Sequence, residues 1–363
     1  MQHWLPQLSG QDWTIIVWHE TTPVDLPNRY LRRISPKNFE WKDGEVLVKH
    51  RQSTILSHRL WFDQSLFLVG NMKVTYKKIV DLLGGAPDCV WTVTLSSAIL
   101  WNYFESSQQL RIPFFLQEHS NPLSMHLKKK HKVKAARSLV KRVSEVVVVA
   151  DRQIREFSDL CKDYDCRVVW NAVDPVFLDT FLGMPVKKSM IYVGRLSGEK
   201  GLYRLIEAVK LVVRKLPKFK LSIIGSGQLE EELRLTVKRL NLETVVKFYG
   251  SKTSTQISSM LEEHEVFVLP SYYENCPVSL LEAQVKGLPC LVTKNGASEK
   301  VLLNGNGIVV EDDGSGKQLA DGILEIFEDI SSYDRDDIKS RSVKEFSPGV
   351  FALRMYNLIK ELS

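Results

Sequence analysis

The sequence is as informative in what it lacks as in what it holds. No apolar run approaches the roughly 18 residues that a helical membrane span needs, so nothing in the chain is expected to cross a bilayer. The opening MQHWLPQLSG has no basic region followed by an apolar stretch, the pattern of a secretory signal, and a cytoplasmic location is expected. Cysteine is scarce: five residues, an odd number at scattered positions. The one close pair, Cys161 and Cys166, has neither CxxC spacing nor histidine neighbours, which argues against a disulfide framework and against a zinc cluster. Short repeats and low-complexity tracts are missing as well, and the net charge of +6 is too mild to name a partner by itself.

What remains is an ordinary globular composition, 44% hydrophobic and 25% charged, in 363 residues. That length suits two domains of roughly 150 residues or a little more. Short apolar runs alternate with helical periodicity from end to end, the signature of βα units around parallel sheets. Strands are expected at 13–18, 45–48, 89–93, 113–117 and 145–150, then at 190–193, 219–225, 245–250, 265–270, 288–293 and 307–310, with a helix in SSAILWNYFESSQQL. The fold class is therefore α/β, with two nucleotide-binding-type halves. Proline, glycine and charge interrupt both periodicities over 171–189, which places a first domain at 1–175 and a second at 176–345. A final amphipathic helix falls within 346–363.

In open parallel sheets, ligands bind beyond the C-terminal ends of the strands. Three such loops stand out. SYYENCPVSLLEA, 271–283, carries Glu274 and Glu282 eight positions apart around Pro277, which suits the first turn of a helix that Gly287 would end. The amides of Asn275, Cys276 and Val278 would then point out of that helix as an anion site. Glu282 can equally pair with Lys286 four residues on, as on any solvated helix. Glu274 sits beside the anion site and makes better sense facing another part of a ligand, such as sugar hydroxyls. The second loop, GRLSGEKGL at 194–202, fits neither GxGxxG nor GxxxxGK[ST] but offers close backbone approach at Gly194 and two cations, Arg195 and Lys200, suited to a diphosphate. The third loop, GSGQ, begins at Gly225.

VGRLSGEKGLYRLIEAV, IIGSGQLEEEL, VKFYGS, VFVLPSYYENCPVSLLEA and GASEKVLLNGNGIVV resemble, in order and spacing, the family 4 retaining glycosyltransferases of GT-B fold. PDCVWTVTLSSA, IPFFLQEHS and VVWNAVD resemble first-half motifs of the same family more loosely. The resemblance implies two Rossmann-like domains facing across a cleft, the last helix crossing back to the first. It implies a retaining transfer of sugar from a nucleotide-diphosphate-sugar, UDP favoured over GDP, without cofactor or metal. Glu282 would hold the ribose hydroxyls and Glu274 the sugar, while Arg195 and Lys200 neutralise the departing diphosphate. Gly194, Gly225, Tyr249, Gly250, Asn275, Cys276, Pro277 and Val278 would complete the donor site. His119 occupies the place of a histidine close to the transferred sugar. The family's opening strand and glycine-rich loop have no counterpart before WTIIVWHETT, so the first domain is expected to be shortened at its N-terminus.

The densest positive run, LKKKHKVKAARSLVKRV, places Lys130, Lys134, Arg137 and Lys141 in one helical stripe beside an apolar face of Val133, Ala136, Val140 and Val143. It holds no interleaved aromatics, which argues against nucleic acid. Anionic lipid headgroups fit better, and with them a glycan or lipid-linked acceptor at a membrane surface. The alternatives to an enzyme of this kind are a nucleotide-sugar-binding subunit completed by a partner chain and a GT-B-shaped epimerase or phosphorylase.

Overall fold

The computed structural model describes residues 16–21, 39–43, 46–52, 76–77, 80–81, 85–87, 89–93, 95–119, 130–160, 165–179, 185–311 and 314–362. The expected absence of an opening strand and glycine-rich loop falls at residues outside this set. The chain divides into two compact units: 1–148 with 154–168 and 352–363, and 149–153 with 169–351.

The described residues of the first unit form two sheets. β1 (Ile16–Thr21) pairs in parallel with β3 (Val46–Gln52), and β2 (Phe39–Asp43) pairs with β3 in antiparallel sense. β2 was not expected from the alternation of strands and helices. Asp43 stands opposite Val46 at one end of that pair. The second sheet is parallel, in the order β4 (Val90–Val93), β5 (Phe114–Glu118), β6 (Glu145–Val148), β7 (Arg167–Val168). β5 is buried at all five positions, as a strand covered on both faces must be. α1 (Leu95–Ser107) and α2 (Lys130–Val140) pack on this sheet through Ala98, Phe104, Ala136 and Leu139. α3 (Asp151–Leu160) follows β6.

The second unit is a six-stranded parallel sheet in the order β10-β9-β8-β11-β12-β13. Its strands are β8 (Ser189–Val193), β9 (Lys220–Ile224), β10 (Val246–Gly250), β11 (Val266–Leu269), β12 (Cys290–Thr293) and β13 (Gly307–Val310). Central β8, β11 and β12 are buried throughout, whereas edge strand β10 alternates buried and exposed positions. The connecting helices are α4 (Leu202–Val212), α5 (Glu230–Arg239), α6 (Ser254–Glu262), α7 (Val278–Val285), α8 (Ser298–Val301), α9 (Gly316–Glu328) and α10 (Arg335–Phe346). Local chemistry sets their starts. Thr253 and Gln256 form a reciprocal capping box on α6, and Asp334 accepts from the amides of Asp336 and Asp337 on α10. α11 (Pro348–Leu362) opens on a proline, begins in the second unit and belongs to the first from Ala352. Among the described residues no helix is long and apolar enough to cross a membrane.

Candidate functional site

The loops after β8, β9 and β11 meet at the C-terminal edge of the second unit's sheet. Tyr192, fully buried near the end of β8, donates its hydroxyl to the Arg195 carbonyl at 2.9 Å. Burial raises the Tyr192 phenol far above its ordinary range, so it remains a donor. A Cβ at Gly194 would stand 2.6 Å from that hydroxyl oxygen, so the chain turns tightly over it and leaves Arg195 exposed. A short 3-10 turn, Gly198–Lys200, leads to Gly201 at φ 65°, where a Cβ would lie 1.9 Å from the Pro270 carbonyl oxygen. Gly225, at φ 130°, approaches the Gly194 carbonyl as closely. Only glycine fits either position. The GSG loop thereby braces the first: the Leu196 amide donates to Ser226 O at 3.0 Å and the Leu229 amide to Leu196 O at 3.1 Å.

The SYYENCP loop is held from below. Arg204, 3% exposed, donates from Nε and Nη2 to Pro270 O at 3.2 and 2.6 Å, and its guanidinium lies 3.8 Å from the Tyr272 ring centre. Thr293 Oγ1 donates to Ser271 O at 2.7 Å, and Arg152 stacks on Tyr273 at 3.4 Å. Asn171 Nδ2 donates to Cys276 O at 3.5 Å. So anchored, the loop presents Glu274, whose Oε1 accepts from Lys200 Nζ and from Ser271 Oγ, both at 2.7 Å. Pro277 is the residue before the first helical turn, not within it: its ψ of 101° is extended, and its carbonyl accepts from the amides of Leu280 and Leu281. Gly287 ends the helix as expected, its amide on Gln284 O at 2.9 Å.

Between these loops lies a cavity of about 270 Å³. It gathers Arg195, Lys200 and Glu274 with Gly194, Cys276, Pro277 and Val278 from the expected set. Tyr192 and Ser279, which no sequence motif singled out, line it too. Gly225, Tyr249, Gly250, Asn275 and Glu282 do not line it: Gly225 supports the floor from behind, Asn275 is buried in the loop, and Tyr249 and Gly250 end edge strand β10, with Tyr249 exposed. His119, half-buried at the end of β5, lies in the first unit; burial lowers its pKa, opposed by the Glu118 carboxylate.

The two glutamates of the motif stand in different electrostatic states. Glu274 is ion-paired. Glu282, on α7, is partly buried and, among the described residues, has no hydrogen-bond or ion-pair partner. Burial, with the Asp174 carboxylate nearby, pushes its pKa up to about 7. The expected alternative pairing with Lys286 is overturned, because Lys286 turns to Glu262 and to the Asp179 carbonyl in a buried ion pair. A carboxylate without a cation can accept hydrogen bonds from hydroxyl groups. Among the described residues no cluster of three His, Cys, Asp or Glu is placed to hold a metal.

Of the supporting residues, Arg204 and Tyr192 were hidden in the sequence. Arg204 occupies the first turn of an amphipathic helix as any solvated arginine would, and Tyr192 sits in an apolar strand. The only available signal was the placing of a basic residue three positions after Gly201, on the buried face of α4.

Residues 185–342 match the family model "Glycosyl transferases group 1". The chain is 27% identical over 164 residues to 2-deoxystreptamine N-acetyl-D-glucosaminyltransferase of Niallia circulans, a match spanning 45% of this chain and 42% of that protein. It is 33% identical over 165 residues to the putative colanic acid biosynthesis glycosyltransferase WcaL of Salmonella typhimurium, covering 44% and 39%. These matches thus span about two fifths of the relatives' length. Among solved structures, sucrose-phosphate synthase from Thermosynechococcus elongatus superposes with TM-score 0.73 at 19% identity, over 98% of this chain and 90% of that one. Anabaena Alr3699/HepE in complex with UDP superposes with TM-score 0.70 at 16% identity, over 85% and 86%. The fold is of the GT-B kind, and the stretch that matches the group 1 glycosyl transferase model lies within the second unit.

Proposed function

We propose that the chain transfers a sugar, with retention of anomeric configuration and without a metal, from a nucleotide-diphosphate-sugar to a glycan or lipid-linked acceptor. The observation that carries this reading is the cavity at the strand ends, where the exposed Arg195, the Lys200–Glu274 pair and the start of α7 converge. Arg195 and Lys200 supply positive charge where a leaving diphosphate gains negative charge, and the Val278 amide at the helix N-terminus adds to it. Glu274 is held by Lys200 and Ser271 where it can bond sugar hydroxyls, and Glu282 receives the ribose. UDP is the favoured nucleotide; the solved structures with this fold include Alr3699/HepE with UDP-glucose and the pneumococcal transferase GtfA with UDP and GlcNAc.

The test is calorimetric. UDP binding to the chain in the presence of a chelator, with affinity reduced about tenfold or more in Arg195→Ala, is the expected result. Unchanged affinity in the variant, or binding only when a divalent cation is added, sinks the assignment.

A membrane-side acceptor is proposed on separate grounds. On α2 and the turn that follows it Lys134, Arg137 and Lys141 are exposed while Ala136, Val140 and Val143 are buried, so a cationic edge faces outward, with Lys130 beginning the helix. Co-sedimentation with acidic vesicles at low salt, abolished by Lys134→Glu with Lys141→Glu, is expected. Vesicle binding that survives the double reversal excludes the stripe.

A further inference from the structure

A second cavity, about 280 Å³, opens between the last turns of α4 and α5 and the first turn of α9, and shares no residue with the first. Lys210 near the end of α4, Arg239 at the end of α5 and Lys317 at the start of α9, all exposed, line it, against a single carboxylate among the described residues, Glu207. None of these three cations has a side-chain hydrogen bond or ion pair among the described residues. Arg234, five residues earlier on α5, pairs with Glu230 at 2.8 Å.

Helix electrostatics explain two of the three. Lys210 and Arg239 lie in last turns, where the helix dipole favours positive charge. Lys317 lies in a first turn, where it is disfavoured. The helix start is also pressed into place: a Cβ at Gly316 would stand 2.9 Å from Ala208 N, from Arg204 O and from Glu207 Cβ. The N-terminus of α9, where the Lys317 amide donates to its cap Ser315 Oγ at 3.3 Å, is therefore set against α4 beside the three cations. The excess of two positive charges, the misplaced Lys317 and the helix start all ask for the same occupant, a compact anion.

We propose that this groove binds a phosphate monoester, with Lys317 and Arg239 as its principal contacts and Lys210 closing the third side. Leu211, 38% exposed, and Leu240 provide an apolar wall for the organic part of the ester. The site stands apart from the proposed transfer chemistry and does not depend on it. The source of the phosphate is a free metabolite or a lipid headgroup, and the two share this chemistry.

The experiment follows the Gly316 and Lys317 amide resonances of the isotopically labelled full chain during titration with glycerol 3-phosphate at ionic strength held by potassium chloride. Saturable shifts are expected, weakened about tenfold or more in Arg239→Glu with Lys317→Glu and unchanged in Arg195→Ala, which reports the other cavity. The milder Lys317→Ala should weaken binding in the same direction with the melting temperature preserved. Shifts that potassium chloride alone reproduces, that fail to saturate, or that survive the double reversal overturn the proposal. Sedimentation with phosphatidate vesicles, lost in the double reversal, supports the groove with a headgroup as its ligand. Saturable shifts without sedimentation support it with a free ester.

Discussion

Glu274 and Glu282 are the same residue type, eight positions apart in one motif, yet the loop before α7 and the helix itself treat them in opposite ways. The loop brings Lys200 and Ser271 to Glu274, so its charge is compensated before any ligand arrives. The helix buries Glu282 near Asp174 and supplies no cation, so its charge is a cost that a ligand's hydroxyls can relieve. The first arrangement builds a pre-set polar surface. The second leaves a partly buried carboxylate whose charge costs stability.

That contrast can be broken at Glu274 with the largest effect. Glu274→Gln keeps the shape but removes the counter-ion of Lys200, whose side chain is only 17% exposed. Turnover is expected to fall about a hundredfold, while UDP affinity holds or rises because Lys200 is released toward the diphosphate. Equal losses of turnover and UDP affinity would contradict the division of roles.

Glu282→Gln sharpens the contrast by moving two quantities in opposite directions. The folded-state pKa of Glu282 lies above its unfolded value, so the folded protein keeps a proton that the unfolded chain releases between about pH 4.5 and 7. Stability therefore falls as pH rises through that window, and the whole penalty is present above it. At pH 8 the variant should be more stable by up to about 3 kcal/mol in denaturant titration, with no gain at pH 4, while binding UDP about tenfold less tightly. A variant that is destabilised at pH 8 would show that the carboxylate is satisfied in the unliganded fold. The same raised pKa predicts that UDP binding near pH 7 releases protons, read as a dependence of binding heat on buffer ionisation enthalpy.

The smallest effect is expected beneath the loop. Arg204→Lys loses the two-nitrogen hold on Pro270 O and the stack on Tyr272, and should cost about 2 kcal/mol of stability by thermal unfolding. If Arg204 positions the loop, turnover falls while UDP affinity changes less; loss of stability with unaltered turnover would leave it a packing residue only.

Much of the second unit was legible in the sequence because its strands are short apolar runs punctuated by glycine and proline. Each of β8 to β13 lies within two residues of its expected span, and Gly287 stops α7 where it should. The first unit was harder. β2 pairs antiparallel with β3, an arrangement that a reading tuned to βα alternation passes over, and β7 is only two residues long, too short for any period to show. The basic helix was expected from its stripe, and on its apolar face Ala136, Val140 and Val143 are buried and Val133 is half-buried, since 3.6-residue periodicity survives as long as one side meets a core.

The sequence by itself determined the α/β class, the loops that border the cavity and the motif that joins Glu274 to Glu282, because periodicity, glycine and proline act on neighbouring residues. Partner choice was decided only by the tertiary structure. Lys286 lies one helical turn from Glu282 and yet pairs with Glu262, while Lys200, 74 residues from Glu274, reaches it at 2.7 Å. The strand ends bring distant loops together, and charge compensation depends on distance and burial in space, which spacing along the chain does not encode.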